Sequence, residues 1–280
     1  MSNRNSHQNK QAARERLRAE RERQAKRDRA RRQLFVGGAV LAVLAIAGGI
    51  GYAVTNLGGD DENPSKKWKV AAEKTKLVTP ANSSGPDGTT VIIGKKSAKN
   101  TLHVYEDMRC PVCSQFEQFT GKTVEKGIKD GTYKAQFTMA AFLDDAQQIR
   151  GSGSKNALSA LGAALNVSPD AFLEYKSALF SAKNHPDERE DAFAEDKKLL
   201  DVAQEVKALK GNKEFEQAVK KGTYDHWAVK MSKTYDTAAK RDGLSGTPAF
   251  QMNGKNLEVN GNPPMSPDQF TPLVQKYLKK

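Results

Sequence analysis

The sequence predicts an α/β domain that carries an inserted block of helices and stands behind one transmembrane helix. Three observations lead there. Leu34 to Val54 runs for 21 residues without a charge. Strand and helix periods alternate from Thr89 to Met139, give way to helical periods over about residues 145–242, and return to strand at Ala249. The chain's 2 cysteines, Cys110 and Cys113, stand three apart where the second strand meets the first helix.

The charge distribution sets the topology. The 280 residues carry a formal net charge of +12, but residues 1–33 alone hold 12 Lys/Arg against 4 Asp/Glu. The remainder is close to balanced, which excludes a nucleic-acid-binding reading of the folded part. A run of 21 residues just spans a bilayer core of about 30 Å. It has no polar face, so a buried core helix is a poor fit. A signal peptide cut near Ala53 is the alternative, but the basic lead and the apolar run are both longer than such peptides show. We read an uncleaved anchor. Only Lys66, Lys67 and Lys69 lie within Gly58–Ala72, so the positive-inside rule puts the N-terminus in the cytoplasm and the rest outside. The expected organisation is a basic cytoplasmic tail (1–33), a transmembrane helix (34–54), a linker (55–87) and a folded domain (88–280).

Gly58 to Asp87 collects Asp60-Asp61, Pro64, Pro80 and Asn82-Ser83-Ser84-Gly85-Pro86, and reads as a tether with a short helix around Trp68–Lys76. Thr89–Ile93 and Thr101–Glu106 read as strands, the second with Leu102 and Val104 on one face. The helix after the cysteines carries Phe116, Phe119, Val124 and Ile128 inward and ends at Gly131. Tyr133, Ala135, Phe137 and Met139 alternate with polar residues, as in a half-buried strand. In the insertion, Ser168-Pro169-Asp170 is a helix start, while Leu199, Val202 and Val206, then Trp227, Met231 and Tyr235, form core stripes. Ala249–Met252 returns to strand, Asn253-Gly254 turns it, and Leu257–Val259 follows. Ser266-Pro267 opens a last helix with Phe270, Val274 and Tyr277, in which Pro272 is a candidate kink.

Two cysteines placed at random would fall three apart in roughly one chain in a hundred. The spacing lets the thiols close a disulfide across one helical turn, or act in turn as nucleophile and resolving thiol. A ring of four residues is a poor staple, worth about 2 kcal/mol by loop entropy. An outward-facing domain lies where disulfide chemistry is normal. No metal site is expected: two thiols are too few ligands, His7 falls in the cytoplasmic tail, His103 falls on a strand, and His185 and His226 have no spacing partner. Ser114 after Cys113 excludes haem attachment.

The run Tyr105-Glu106-Asp107-Met108-Arg109-Cys110-Pro111-Val112-Cys113, with Gly246-Thr247-Pro248-Ala249-Phe250 and Asn253-Gly254 far downstream, resembles the DsbA-like thiol:disulfide oxidoreductases of membrane-anchored bacterial type. The resemblance implies a thioredoxin fold with the helical domain inserted between its halves. It implies Cys110 as an exposed nucleophile, Cys113 as the resolving thiol, and a redox-active Cys110–Cys113 disulfide with no other cofactor. Pro111 suits the first helical turn, and Arg109 adds a positive neighbour. Thr247-Pro248 matches the family's cis-proline, whose preceding residue pairs with an extended substrate by strand addition. The implied partners are exported proteins with thiols or disulfides and a membrane redox partner that the sequence does not identify. Two alternatives stay open: a reductase or isomerase fed by a membrane electron donor, and a membrane-tethered peptide-binding module without turnover.

The chain departs from the pattern in two places. The family's buried acid, six residues before the nucleophile, is here Val104, with Glu106 or Asp107 as substitutes for proton transfer, read as solvated loop carboxylates. Val112 stands where DsbA has histidine, so no imidazolium can stabilise a thiolate from that side. Pairs on this fold span about −270 to −120 mV, roughly 7 kcal/mol. Equilibration with glutathione buffers is expected to place this pair below DsbA; a potential at or above DsbA's contradicts the reading.

Overall fold

The computed structural model describes Trp68 and residues 76–279. The predicted tail, the predicted span 34–54 and residues 69–75 of the short helix lie outside them. Among the described residues no helix is long and apolar enough to cross a membrane.

In chain order the elements are β1 (Val91–Ile93), β2 (Thr101–Asp107), α1 (Pro111–Asp130), β3 (Lys134–Ala140), a 3-10 turn (Phe142–Asp145), α2 (Gly153–Val167), α3 (Pro169–Leu179), a second 3-10 turn (Ala192–Ala194), α4 (Asp196–Ala203), α5 (Lys213–Lys220), α6 (Asp225–Asp242), β4 (Ala249–Met252), β5 (Lys255–Asn256) and α7 (Pro267–Lys276). The sheet order is β1-β3-β2-β4-β5. Only β2 and β3 run parallel, joined by the crossover helix α1 as a parallel pair requires. Helices α2 to α6 sit in sequence between β3 and β4.

Period two along β2 sends Leu102, Val104 and Glu106 to one face and His103, Tyr105 and Asp107 to the other. Val104 lies opposite Phe137 of β3 and Phe250 of β4. On this first face Phe116 of α1 packs on Phe250 with ring centroids 4.2 Å apart, Phe270 of α7 meets Phe116 at 5.9 Å, and Phe172 of α3 meets Phe137 at 5.4 Å. On the second face Tyr235 of α6 sets its edge against Tyr105 at 6.3 Å. The first turn of α2 reaches the same end of the sheet, where Ser154 bonds Asp107.

Helix α2 is buried along most of its length because Ala157, Ala160, Gly162, Ala163 and Ala164 let neighbours approach closely. A Cβ at Gly162 would lie 2.9 Å from the Trp227 ring. Trp227 in turn donates from Nε1 to the Gly88 carbonyl at 2.7 Å. Ala81 N–H bonds Asn166 Oδ1 at 3.0 Å and Asn82 Nδ2 bonds the Leu165 carbonyl at 2.8 Å, so the end of the stretch read as tether is fixed to the C-terminal end of α2.

Several expectations shift. The first strand starts at Val91, with Thr90 forming an isolated bridge to Ser84. Asn253 and Gly254 both take positive φ, as a tight hairpin turn needs. The return strand is Lys255–Asn256 rather than Leu257–Val259, because pairing begins directly after that turn. Phe119 is 57% exposed; the inward stripe of α1 runs through Phe116, Thr120, Val124 and Ile128, which leaves Phe119 on its shoulder. Ser168 caps α3 through its hydroxyl, whereas Ser266 makes no side-chain cap on α7.

Replacing Trp227 with Phe keeps most of the ring packing but leaves the Gly88 carbonyl without its donor. The expected loss is about 1–3 kcal/mol in chemical denaturation; an unchanged midpoint contradicts the role given to this bond.

Candidate active site

Helix α1 starts where the cysteines place it. Cys110 is the N-cap, with extended backbone, and Pro111 is the first helical residue, needing no amide partner. The Cys113 N–H points at Cys110 Sγ, 3.4 Å away, and the Cys110 thiol donates to the Thr247 carbonyl, also at 3.4 Å. The Thr247-Pro248 bond is cis. Loops 137 residues apart in sequence therefore meet at one sulfur. Both cysteines are free thiols. Cys110, expected to be exposed, is only 1% exposed, and Val112 and Cys113 are buried with it. Packing between the sheet end and the cis-proline loop covers what helix position alone would leave open. Thr247 Oγ1 is buried beside this contact with no hydrogen-bond partner among the described atoms.

Two carboxylates flank the dithiol, one from each face of β2. Glu106 and Asp107 are the last strand residues, and both are fully buried. The expectation of solvated loop carboxylates fails because β2 extends one residue further and the insertion closes over its end. On the first face Lys176 of α3 binds Glu106 at 3.0 Å and Glu117 of α1 at 2.7 Å. One cation thus serves two carboxylates. Burial drives the Glu106 carboxyl upward; Lys176 opposes this and Glu117 adds to it. Cys113 is pushed well above a thiol's ordinary value by burial first, then by its bond to Cys110 and the charges of Cys110 and Glu106.

On the second face Asp107 accepts Ser154 Oγ at 2.6 Å and the amides of Arg109 and Leu143 at 3.0 and 3.2 Å. Burial and the neighbouring Asp144 push its carboxyl up to about 7 against these donors. Arg109 does not act as a free positive neighbour of the thiol. Its buried guanidinium bonds Asp144 at 3.2 Å and the Ile149 and Glu188 carbonyls at 2.8 and 3.2 Å, and pairs with Asp191 at 3.4 Å. Lone buried charges are costly, so the strongest acceptors claim the guanidinium.

Sequence reasoning passed over Glu117, Lys176, Asp144 and Ser154. A signal existed for the first two. Glu117 follows Cys110 and Cys113 at helical spacing, and Lys176 interrupts the apolar stripe Phe172, Tyr175, Leu179. Asp144 and Ser154 lie in unpatterned chain and carried none.

Asp107 yields a pH prediction. Its carboxyl rises from 3.8 to about 7 on folding, so between those values the folded state holds a proton that the unfolded chain has released. Stability then falls as pH rises through the interval, by up to about 1.4 kcal/mol per unit from this group. Glu106 acts in the same direction. Urea denaturation of the dithiol protein across this range is expected to show the decline and Asp107→Asn to reduce its slope; an unaltered slope in the variant contradicts the assignment.

Comparison with known proteins agrees with this geometry. A family model described as Thioredoxin matches residues 86–276. The chain is similar to the reduced disulfide bond oxidoreductase DsbG from Mycobacterium tuberculosis, with 25% identity, 72% of this chain and 86% of that chain covered, and a TM-score of 0.53. It is also similar to oxidised DsbA of the same organism, at 25% identity, 72% and 92% coverage and a TM-score of 0.51. The thiol-disulfide oxidoreductase MdbA from Corynebacterium diphtheriae shares the fold at 21% identity, 68% and 93% coverage and a TM-score of 0.51. Among curated proteins, the serine/threonine-protein kinase PknE of Mycobacterium tuberculosis is 25% identical over 118 residues, 42% of this chain and 21% of that protein. The chain thus spans about a fifth of the length of the curated relatives it matches. With the matched model covering more than half of its length, the chain belongs to the thioredoxin family, and its solved neighbours are thiol:disulfide oxidoreductases.

Proposed function

We propose that this thiol:disulfide oxidoreductase forms or exchanges disulfides in exported proteins, with Cys110 as nucleophile and Cys113 as resolving thiol. The observation that carries the reading is the position of Cys110 Sγ, at the start of α1, between the Cys113 amide and the Thr247 carbonyl. A helix N-terminus favours the thiolate, which is the attacking species.

In the oxidised enzyme a substrate thiolate attacks Cys110 Sγ. The Cys110–Cys113 bond breaks, a substrate–Cys110 disulfide forms, and Cys113 leaves with the electron pair and takes a proton. A buried, high-pKa thiol leaves poorly as an anion, and the Glu106 carboxyl, raised to about 7 by burial, is placed to carry the proton that Cys113 takes as it leaves. The substrate's second thiolate then attacks its own sulfur in the mixed disulfide and releases Cys110. The substrate has lost two electrons and two protons and the enzyme has gained them; a membrane redox partner removes them again. Thr247 and Pro248 are the substrate-binding positions, the Thr247 backbone pairing with an extended peptide next to the reacting sulfur.

Location belongs to the same proposal. The uncharged run 34–54 and the arginine excess before it support a single-pass anchor with the folded domain outside. Domain limits at 55–87 and 88–280, with the insertion over about 145–242, complete it. Val112 supports a weaker oxidant than DsbA, so reductase or isomerase work under a membrane electron donor stays the second reading.

Oxidative refolding of a reduced disulfide protein separates an enzyme from a peptide-binding module. Cys110→Ser is expected to abolish turnover, and Cys113→Ser to accumulate mixed disulfides with substrate on Cys110. Wild-type turnover by Cys110→Ser refutes the enzymatic assignment.

A further inference from the structure

The segment from Phe180 to Asp191 joins α3 to the second 3-10 turn without a helix or strand of its own, yet it grips the cysteine loop from both sides. At its start the Phe180 carbonyl accepts Ser114 Oγ at 2.7 Å and Gln118 Nε2 at 2.9 Å, both from α1 after the cysteines. At its end the Glu188 carbonyl and the Asp191 carboxylate hold Arg109, the residue before Cys110.

Between these ends His185 is wedged against Phe180, stacked at 5.7 Å, and against the edge of Phe193 at 6.0 Å. Its Nε2 lies 3.1 Å from the Met108 carbonyl. That carbonyl belongs to the middle peptide of a tight turn, since Cys110 N–H bonds the Asp107 carbonyl at 3.0 Å. Rotation of the middle peptide is the soft motion of such a turn, because it exchanges turn types. Here the peptide is tied at both ends: its N–H, from Arg109, to the Asp107 carboxylate, and its C=O to His185.

We propose that His185 is a positioning residue, whose Nε2–H donates to the Met108 carbonyl and locks the turn that aims Cys110 Sγ at the Cys113 amide. The proposal rests on Cys110 being the nucleophile. Burial pulls the imidazole down to about 4, with the Met108 and Pro186 carbonyls opposing this. Burial favours the neutral ring, which has one N–H for two facing carbonyls, those of Met108 and Pro186; the proposal puts it on Nε2, toward Met108. The alignment it protects keeps the Cys113 N–H on Cys110 Sγ, a contact of the reduced pair. Losing it shifts the pair toward the disulfide and slows attack by Cys110.

The test uses the full chain. His185→Phe keeps a ring between Phe180 and Phe193 without a donor, whereas His185→Gln returns an N–H near the place of Nε2. His185→Phe is expected to move the equilibrium with glutathione about three- to tenfold toward the disulfide and to slow alkylation of Cys110 by a similar factor, as one hydrogen bond allows. His185→Gln is expected to recover both within about twofold. A well-folded His185→Phe with wild-type equilibrium and rate overturns the proposal, as does failure of the amide to rescue. Should His185→Phe not fold, nitrogen NMR of the unaltered protein decides: protonation on Nε2 supports the proposal and protonation on Nδ1 overturns it. A wild-type protein that exchanges no disulfide with glutathione refutes the functional reading instead, and leaves the tautomer result standing.

Discussion

The buried carboxylate of Asp144 joins the two parts of the domain on which the site depends. Its Oδ1 accepts the Ser154 amide at 2.9 Å and Arg109 at 3.2 Å, while Oδ2 accepts the Lys155 amide at 2.9 Å. It therefore caps α2 at the start of the insertion and pairs with the residue next to Cys110. Burial raises its carboxyl, and Lys155, the two amides and Arg109 oppose the rise. Removing one partner from such a buried pair costs about 3–5 kcal/mol, since the other charge stays behind unpaired. The sheet end, the helix start and the insertion thus share one electrostatic joint, which lies next to the cysteines rather than at a distance from them.

That joint explains how two cysteines three residues apart acquire different characters. Cys110 lies at the helix start, where an amide faces its sulfur and the Thr247 carbonyl accepts a hydrogen bond from its thiol. Cys113 sits one turn deeper, near Glu106, where burial above all opposes ionisation. In the proposed mechanism the division of labour between attacking and leaving sulfur rests on depth along one helix, with the sheet supplying the acid behind the deeper thiol. The triad of Glu106, Lys176 and Glu117 draws its members from β2, α3 and α1, so the insertion shapes the dithiol's environment from the first face as it does through Asp144 from the second.

Much of this was legible in the residues themselves. Alternation over residues 101–106 and 133–139 identified the two strands, and Asn253-Gly254 identified the hairpin, because strand pleat and turn dihedrals act over a few residues. Cys110, Cys113 and Thr247-Pro248 were singled out from local pattern and family likeness, and the fold sets Cys110 Sγ 3.4 Å from both the Cys113 amide and the Thr247 carbonyl. Arg109 and Asp107 were found as positions but not as roles. Both were read by their distance in sequence from Cys110, whereas their partners Asp144, Ser154, Ile149 and Glu188 come from the insertion. The reading of Phe119 as inward failed for a different reason: the apolar stripe of α1 is set by which neighbours cover it, and β4, α7 and the residue Met265 before α7 cover the side of Phe116 and Thr120.

The sequence by itself determined the α/β class, the order of elements, the place of the dithiol at a strand-to-helix junction and the proline opposite it, since each depends on short-range geometry or a few conspicuous residues. Only the tertiary structure decided that Cys110 is covered, that Glu106 and Asp107 are buried acids on opposite faces of one strand, and that Arg109 serves the insertion rather than the thiol. Those outcomes depend on burial and on which charges meet in a low-dielectric interior, and such pairings join residues far apart in the chain that no local pattern connects.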